Sequence, residues 1–125
     1  MTKVDRKHFR QLVREAVALL PDDLRREVRN VDLVIESRPT REDLEVAGVG
    51  PGHTLLGLYH GIPLTMRGTN YNLVLPDKIS IYQEPIEAIC SNDDEIREQV
   101  RITVLHELAH YFGIDDDRLH ELGMG

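Results

Sequence analysis

Residues 99–113 read QVRITVLHELAHYFG, and this stretch decides how the rest of the chain is organised. At about 100° per residue, apolar side chains fill nearly every direction around a helix built from it. A helix of that kind is expected at the centre of a core. Five of its polar residues fall on one narrow face, where they must be paired, hydrated or bound, because bare burial costs several kcal/mol. That polar stripe consists of Gln99, Thr103, His106, His110 and, at its edge, Glu107.

Both ends of this helix are marked in the sequence. Ser91 or Asn92 can cap its start, and acidic residues follow near the N-terminus, where the helix dipole favours them. Gly113 stands where helices usually end with a left-handed residue. The sequence therefore predicts a helix from about Asp93 to Phe112.

The polar stripe carries a spacing typical of metal sites, H-E-x-x-H-x-x-G-x-x-D, formed by His106, Glu107, His110, Gly113 and Asp116. Two histidines four positions apart converge on one side of a helix, and neutral imidazole suits Zn²⁺. Gly113 ends the helix and lets the chain fold back, so that Asp116 can supply a third ligand. Three protein ligands leave one position open for water, as in catalytic zinc sites. Glu107 could then take a proton from the activated water as general base.

The third ligand has competitors in the same turn. Asp115, Asp117 and His120 could each bind if the turn is shaped differently, although Asp116 is favoured. Acidic residues here could also cap a short helix, which is predicted over residues 115–122. The histidines could likewise be ordinary polar residues at the rim of a core helix, since a short motif can arise by chance. The glycine and the acidic residue at matching spacing favour the metal site.

The rest of the chain predicts a mixture of helices and strands. An amphipathic helix extends from about Asp5 to Leu20, Pro21 stops it, and a short second helix follows. The turns between the predicted strands are short, which favours antiparallel pairing. Strands are predicted at residues 31–35, 54–59, 63–66, 73–75 and 79–82, and a helical turn at residues 40–45.

The composition bounds the class of protein. The 125 residues are enough for one domain, expected over residues 1–125, and 41% hydrophobic with 30% charged residues suits a soluble globular chain. The net charge of −7 disfavours nucleic acid as a partner. Cys90 is the only cysteine, so no internal disulfide can form, and a buried apolar role is expected for it. The charged N-terminus and the lack of a long apolar run predict a cytoplasmic protein without a membrane partner.

The segment HELAHYFGIDD, residues 106–116, resembles the motif of the small bacterial zincin-like metallopeptidases, a group with a minimal metzincin-like fold. The resemblance spans most of the chain. It includes LGLYHG at residues 56–61, Arg67, LPDKI at residues 75–79, and residues 9–20 with Pro21.

This resemblance implies a compact α+β fold. A mixed, mainly antiparallel sheet of about four strands would pack against an N-terminal helix and a C-terminal metal-bearing helix. It also implies one zinc ion held by His106, His110 and Asp116, with Glu107 as the catalytic base.

Three functions remain open from the sequence. The leading one is a zinc-dependent peptidase whose edge strand pairs with an extended peptide, with the strand at residues 79–82 as a plausible wall. The second is a metal-dependent ribonuclease, and the third is a non-catalytic module in which the metal only shapes a binding surface. Candidates for holding the oxyanion, each otherwise an ordinary surface or core residue, are Tyr59, Tyr82, Arg67 and His120.

Overall fold

The computed structural model describes residues 3–50, 54–61 and 77–113. These ranges contain helices and strands in mixed order, so the predicted α+β class is confirmed. The helices are α1 (Arg6–Ala18), α2 (Asp22–Glu27), α3 (Arg41–Ala47), α4 (Gln83–Ala88) and α5 (Asp93–Tyr111), with a 3₁₀ turn at Val28–Asn30. The strands are β1 (Val31–Glu36), β2 (Gly57–His60) and β3 (Asp77–Tyr82).

The described strands form one sheet in the order β1-β3-β2. β3 runs parallel to β1 and antiparallel to β2. The expectation of about four, mainly antiparallel strands is therefore wrong for the described part, which has three strands and one pairing of each kind. The short turns in the sequence could not predict the parallel pairing of β1 with β3, because residues 37–76 separate these two strands. The strands predicted at residues 63–66 and 73–75 lie outside the described residues.

β3 is the central strand of the described sheet. Its register places Glu36 of β1 opposite Tyr82, and Gly57 of β2 opposite Ile81. The strand at residues 79–82 therefore cannot be the wall that pairs with a peptide, because β1 and β2 occupy both of its sides. In the described sheet, β2 takes the outer position beside α5.

The core lies between the sheet, α1 and α5. Both Ile79 and Ile81 of β3 are fully buried and belong to the same apolar cluster as the two helices. No described helix is both long and apolar enough to cross a membrane. The helices bury Phe9, Leu12, Val13 and Ala16 from α1 and Ile96, Val100, Val104 and Leu108 from α5.

Helix ends follow the local signals in the sequence. The side chain of Asn92 caps α5 by accepting a hydrogen bond from the N–H of Glu95 at 2.9 Å. At the other end Gly113 has the left-handed φ of 89° that the sequence predicted, and its N–H donates to the carbonyl of His110. The predicted range for this helix is thus confirmed to within one residue.

One helix was not predicted. This helix is α4, and Pro85 lies in its first turn. Proline is tolerated there because the first N–H groups of a helix have no acceptor within it. Cys90, just after α4, is buried as expected, and burial raises the pKa of its thiol.

Candidate metal centre

α5 brings three potential ligand side chains together on one side. The ligand atoms of His106, Glu107 and His110 all lie within 4.8 Å of one another. The two imidazole rings stand edge to face, with centroids 4.6 Å apart. This convergence follows from the helix itself, because residues four apart stack on the same face.

These three residues differ in exposure. Glu107 is buried at 8% exposure, whereas the two histidines are half-buried. The stripe predicted to carry the motif therefore faces partly inward: Thr103 is also buried, and Ile102, predicted on the apolar surround, is 40% exposed. The two histidine side chains are therefore more exposed than the carboxylate of Glu107.

The Glu107 carboxylate is held by the neighbouring strand. Its Oε1 atom accepts a hydrogen bond from the backbone N–H of Tyr59 in β2 at 3.0 Å. The Nδ1 atom of His110 lies 3.3 Å from the same oxygen. Within the described residues, Oε2 makes no hydrogen bond. The carboxylate thus has one anchored oxygen and one that no described group engages.

A groove of about 220 Å³ lies beside the motif. β2 approaches α5 closely at Gly57, which lines this groove. A Cβ atom there would lie 2.8 Å from Cγ2 of Thr103 and 3.2 Å from Cγ of Glu107, so a larger residue does not fit without movement. The groove is lined by Leu56, Gly57, Gln99, Ile102, Thr103, His106 and Glu107.

Residues 28–125 match the family described as zincin-like metallopeptidase. The chain belongs to that family. Among solved structures, this zincin-like chain is similar to a conserved hypothetical protein from Thermus thermophilus, with 23% identity and a TM-score of 0.56. The alignment covers 95% of this chain and 97% of that one, and it supports the fold. No curated protein has significant sequence similarity to the chain.

Of the remaining predicted site residues of this zincin-like chain, Tyr59 and Tyr82 lie within the described residues. Tyr59 packs its ring against Tyr111 and donates its hydroxyl hydrogen to Asp77 at 3.3 Å. Tyr82 lies on the opposite face of the sheet, where its hydroxyl donates to Asp43, so it does not reach the centre. The other candidates lie outside the described residues: Asp116, its competitors Asp115, Asp117 and His120, and Arg67.

Sequence reasoning missed two groups that shape the centre. The N–H of Tyr59 could not be found, because nothing in a sequence shows which strand amide meets a helix 48 positions later. Gly57 did carry a signal. An isolated glycine inside a strand pattern often marks a place where another segment approaches closely.

Proposed function

We propose that the chain is a zinc-dependent peptidase, with His106, His110 and Asp116 as metal ligands and Glu107 as general base. One observation supports this most strongly: two half-exposed imidazoles stand beside a shielded carboxylate that a strand N–H holds in place. An ordinary pair of surface histidines would not need a buried acid next to them.

The donor set fits a divalent transition metal. Two imidazoles and a carboxylate suit zinc, although iron, cobalt and nickel also accept such ligands. A bound ion would supply Lewis-acid activation of a water molecule and of a substrate carbonyl. The contact between Nδ1 of His110 and Oε1 of Glu107 agrees with this role, because a proton on Nδ1 places the metal-binding lone pair of the neutral ring on Nε2.

Glu107 would move the proton in this reaction. Its carboxylate would take a proton from the attacking water and hand it to the leaving amine. A shielded carboxylate suits the task, because electrostatic interactions are stronger where water is excluded. Its fixed orientation suits it as well, since proton transfer requires hydrogen-bond contact.

The substrate is proposed to be a peptide in an extended conformation. β2 is the described strand that borders both α5 and the groove, and an extended chain can bind beside such a strand through main-chain hydrogen bonds. The net charge of −7 disfavours the ribonuclease alternative, because a phosphate backbone is repelled by an acidic surface.

The test compares Glu107→Gln with the matched control Glu98→Gln, which changes an exposed glutamate on the same helix. Zinc content is measured by mass spectrometry, and turnover is measured on a peptide library with and without a chelator. We expect Glu107→Gln to keep its zinc and to lose turnover by about 100-fold or more, while Glu98→Gln behaves as wild type. Full turnover in Glu107→Gln, or a wild type without affinity for zinc, would refute the proposal. A wild type that binds zinc without cleaving any peptide would point to the non-catalytic module.

A further inference from the structure

We propose that the backbone N–H of Tyr59 is the positioning group for Glu107: it holds Oε1 and reserves Oε2 for proton transfer. The inference rests on the proposed function, in which Glu107 is the general base. It adds a component that the metal-binding motif does not contain, because this N–H comes from a strand and not from α5.

The two oxygens of the Glu107 carboxylate have different contacts. Both of its contacts, the Tyr59 N–H at 3.0 Å and His110 Nδ1 at 3.3 Å, are made to Oε1. Oε2 has no hydrogen bond within the described residues. An oxygen that already accepts two contacts is a poor proton acceptor, so the chemistry falls to Oε2.

The pairing of β2 with β3 does not use the N–H of Tyr59. The N–H of Tyr82 in β3 donates to the carbonyl of Leu56 at 3.0 Å, which makes Leu56 and Tyr82 a hydrogen-bonded pair. In an antiparallel ladder such pairs alternate, so the N–H groups of Gly57 and Tyr59 point away from β3. Glu107 therefore accepts a hydrogen bond from an N–H group that β3 does not use.

The lack of a side chain at Gly57 allows β2 and α5 to approach each other closely. Gly57 lies two positions before Tyr59 and so on the same face of the strand. An alanine there would bring Cβ to 2.8 Å from Cγ2 of Thr103 and 3.2 Å from Cγ of Glu107. We expect relief of those contacts to move the helix away from the strand and to lengthen the hydrogen bond between the Tyr59 N–H and Oε1.

The first measurement is hydrogen exchange of the Tyr59 amide, followed by NMR on the full-length chain labelled with ¹⁵N, with and without zinc. Glu107→Ala removes the acceptor, and exchange should accelerate by about 10- to 100-fold, as expected for loss of one hydrogen bond to a charged group. Glu107→Gln keeps an acceptor oxygen and should retain most of the protection. Tyr59→Phe keeps the backbone N–H, so its amide should also remain protected.

The second measurement is peptide turnover by Gly57→Ala loaded with zinc. A displacement of about 1 Å can cost 100-fold in rate, so kcat should fall on the order of 10- to 100-fold while KM changes little. The double variant Gly57→Ala/Thr103→Ser should regain part of that loss, with Thr103→Ser alone as its reference. Serine removes the clashing Cγ2 but keeps the hydroxyl that accepts a hydrogen bond from Gln99.

The outcomes separate this inference from the proposed function. Equal exchange of the Tyr59 amide in the wild type and in Glu107→Ala would overturn the contact. Wild-type kcat in Gly57→Ala, together with lost amide protection, would overturn the positioning role and leave the peptidase standing. A wild type that binds zinc and cleaves no peptide would overturn the proposed function and the catalytic part of this inference together.

Discussion

The hydroxyl of Tyr82 in β3 donates a hydrogen bond to Oδ2 of Asp43 in α3, across 2.9 Å. The same oxygen accepts the backbone N–H of Thr40 at 3.2 Å, within the capping box that starts α3. Tyr82 is fully buried, whereas no residue of α3 is fully buried. A polar contact to the central strand therefore anchors a helix that has little apolar packing of its own.

Replacing the donor of that contact should weaken the fold. Tyr82→Phe removes one hydrogen bond to a charged acceptor and leaves the ring in place, so the free energy of unfolding should fall by about 1.5–3 kcal/mol. Urea unfolding measures this as a lower midpoint at unchanged slope. Glu45→Gln, an exposed change on the same helix, is the control and should leave the midpoint near wild type. Equal midpoints for Tyr82→Phe and the control would mean that the bond adds nothing to stability.

The loss of folding stability at acidic pH should depend on Asp43. Burial raises the pKa of its carboxyl, but hydrogen bonds from the Thr40 N–H, the Tyr82 hydroxyl and the Thr40 hydroxyl outweigh burial, so the net pKa is lowered. A carboxyl with a lowered pKa in the folded state adds stability above its unfolded-state pKa of about 3.9. That stability is lost as the pH falls through the folded-state value.

We therefore expect wild-type stability to drop more steeply than that of Asp43→Asn as the pH falls below about 4. At neutral pH the variant should be the less stable protein, and the two curves should converge in acid. Urea midpoints at a series of pH values between neutral and strongly acidic test this. Parallel curves over the whole range would show that the Asp43 carboxylate makes no charge-dependent contribution.

The sequence was sufficient for elements whose signals are local. α5 was predicted from its helical periodicity, the Asn92 cap and the glycine at its end, all of which lie within or beside the helix. The order of the sheet was not predictable in this way. The pairing of β1 with β3 joins residues more than 40 positions apart, and no turn signal links them. α4 was missed because Pro85 can either stop a strand or open a helix.

The same distinction between local signals and contacts of distant segments applies to the candidate centre. The spacing of His106, Glu107 and His110 on one helix predicted that they would come together, and the structure brings them within 4.8 Å. Their surroundings depend on how β2 docks on α5, which is a contact between distant segments. The anchoring of Glu107 by Tyr59 could therefore be seen only in the folded chain, whereas Gly57 signalled a close approach without showing which segment makes it.

Zinc should stabilise the folded protein if the proposed ligands are right. A ligand that binds only the folded state adds about 2.7 kcal/mol at a free concentration 100 times its Kd. Thermal unfolding with zinc and with a chelator should therefore show a higher Tm in zinc, and His110→Ala should lose most of that increment. His8→Ala is the matched control, because His8 lies in α1 and bonds Asp93 rather than the centre. An increment that survives in His110→Ala but disappears in His8→Ala would place the metal elsewhere.

The third ligand can be identified by removing each candidate in turn. Loss of a residue that only supports a ligand typically lowers metal affinity by about 10- to 100-fold, so loss of a ligand itself should cost more than that. We expect Asp116→Ala to exceed about 100-fold, as measured by competition with a chromophoric chelator. Asp115→Ala, Asp117→Ala and His120→Ala serve as matched controls within the same turn and should stay well below that loss.

Each alternative outcome has a distinct chemical meaning. If Asp115→Ala or Asp117→Ala shows the largest loss of metal affinity, the ligand set is still two imidazoles and one carboxylate. The carboxylate then lies one position away from Asp116 in the sequence. If His120→Ala shows the largest loss of metal affinity, the ligand set is three imidazoles. The bound ion then has no carboxylate ligand to offset its charge. Absorption spectra of the cobalt-substituted protein separate these cases, because the ligand-field bands respond to the donor atoms. Unchanged spectra and affinity in Asp116→Ala would exclude Asp116 as a ligand while leaving His106 and His110 as the shared core of the site.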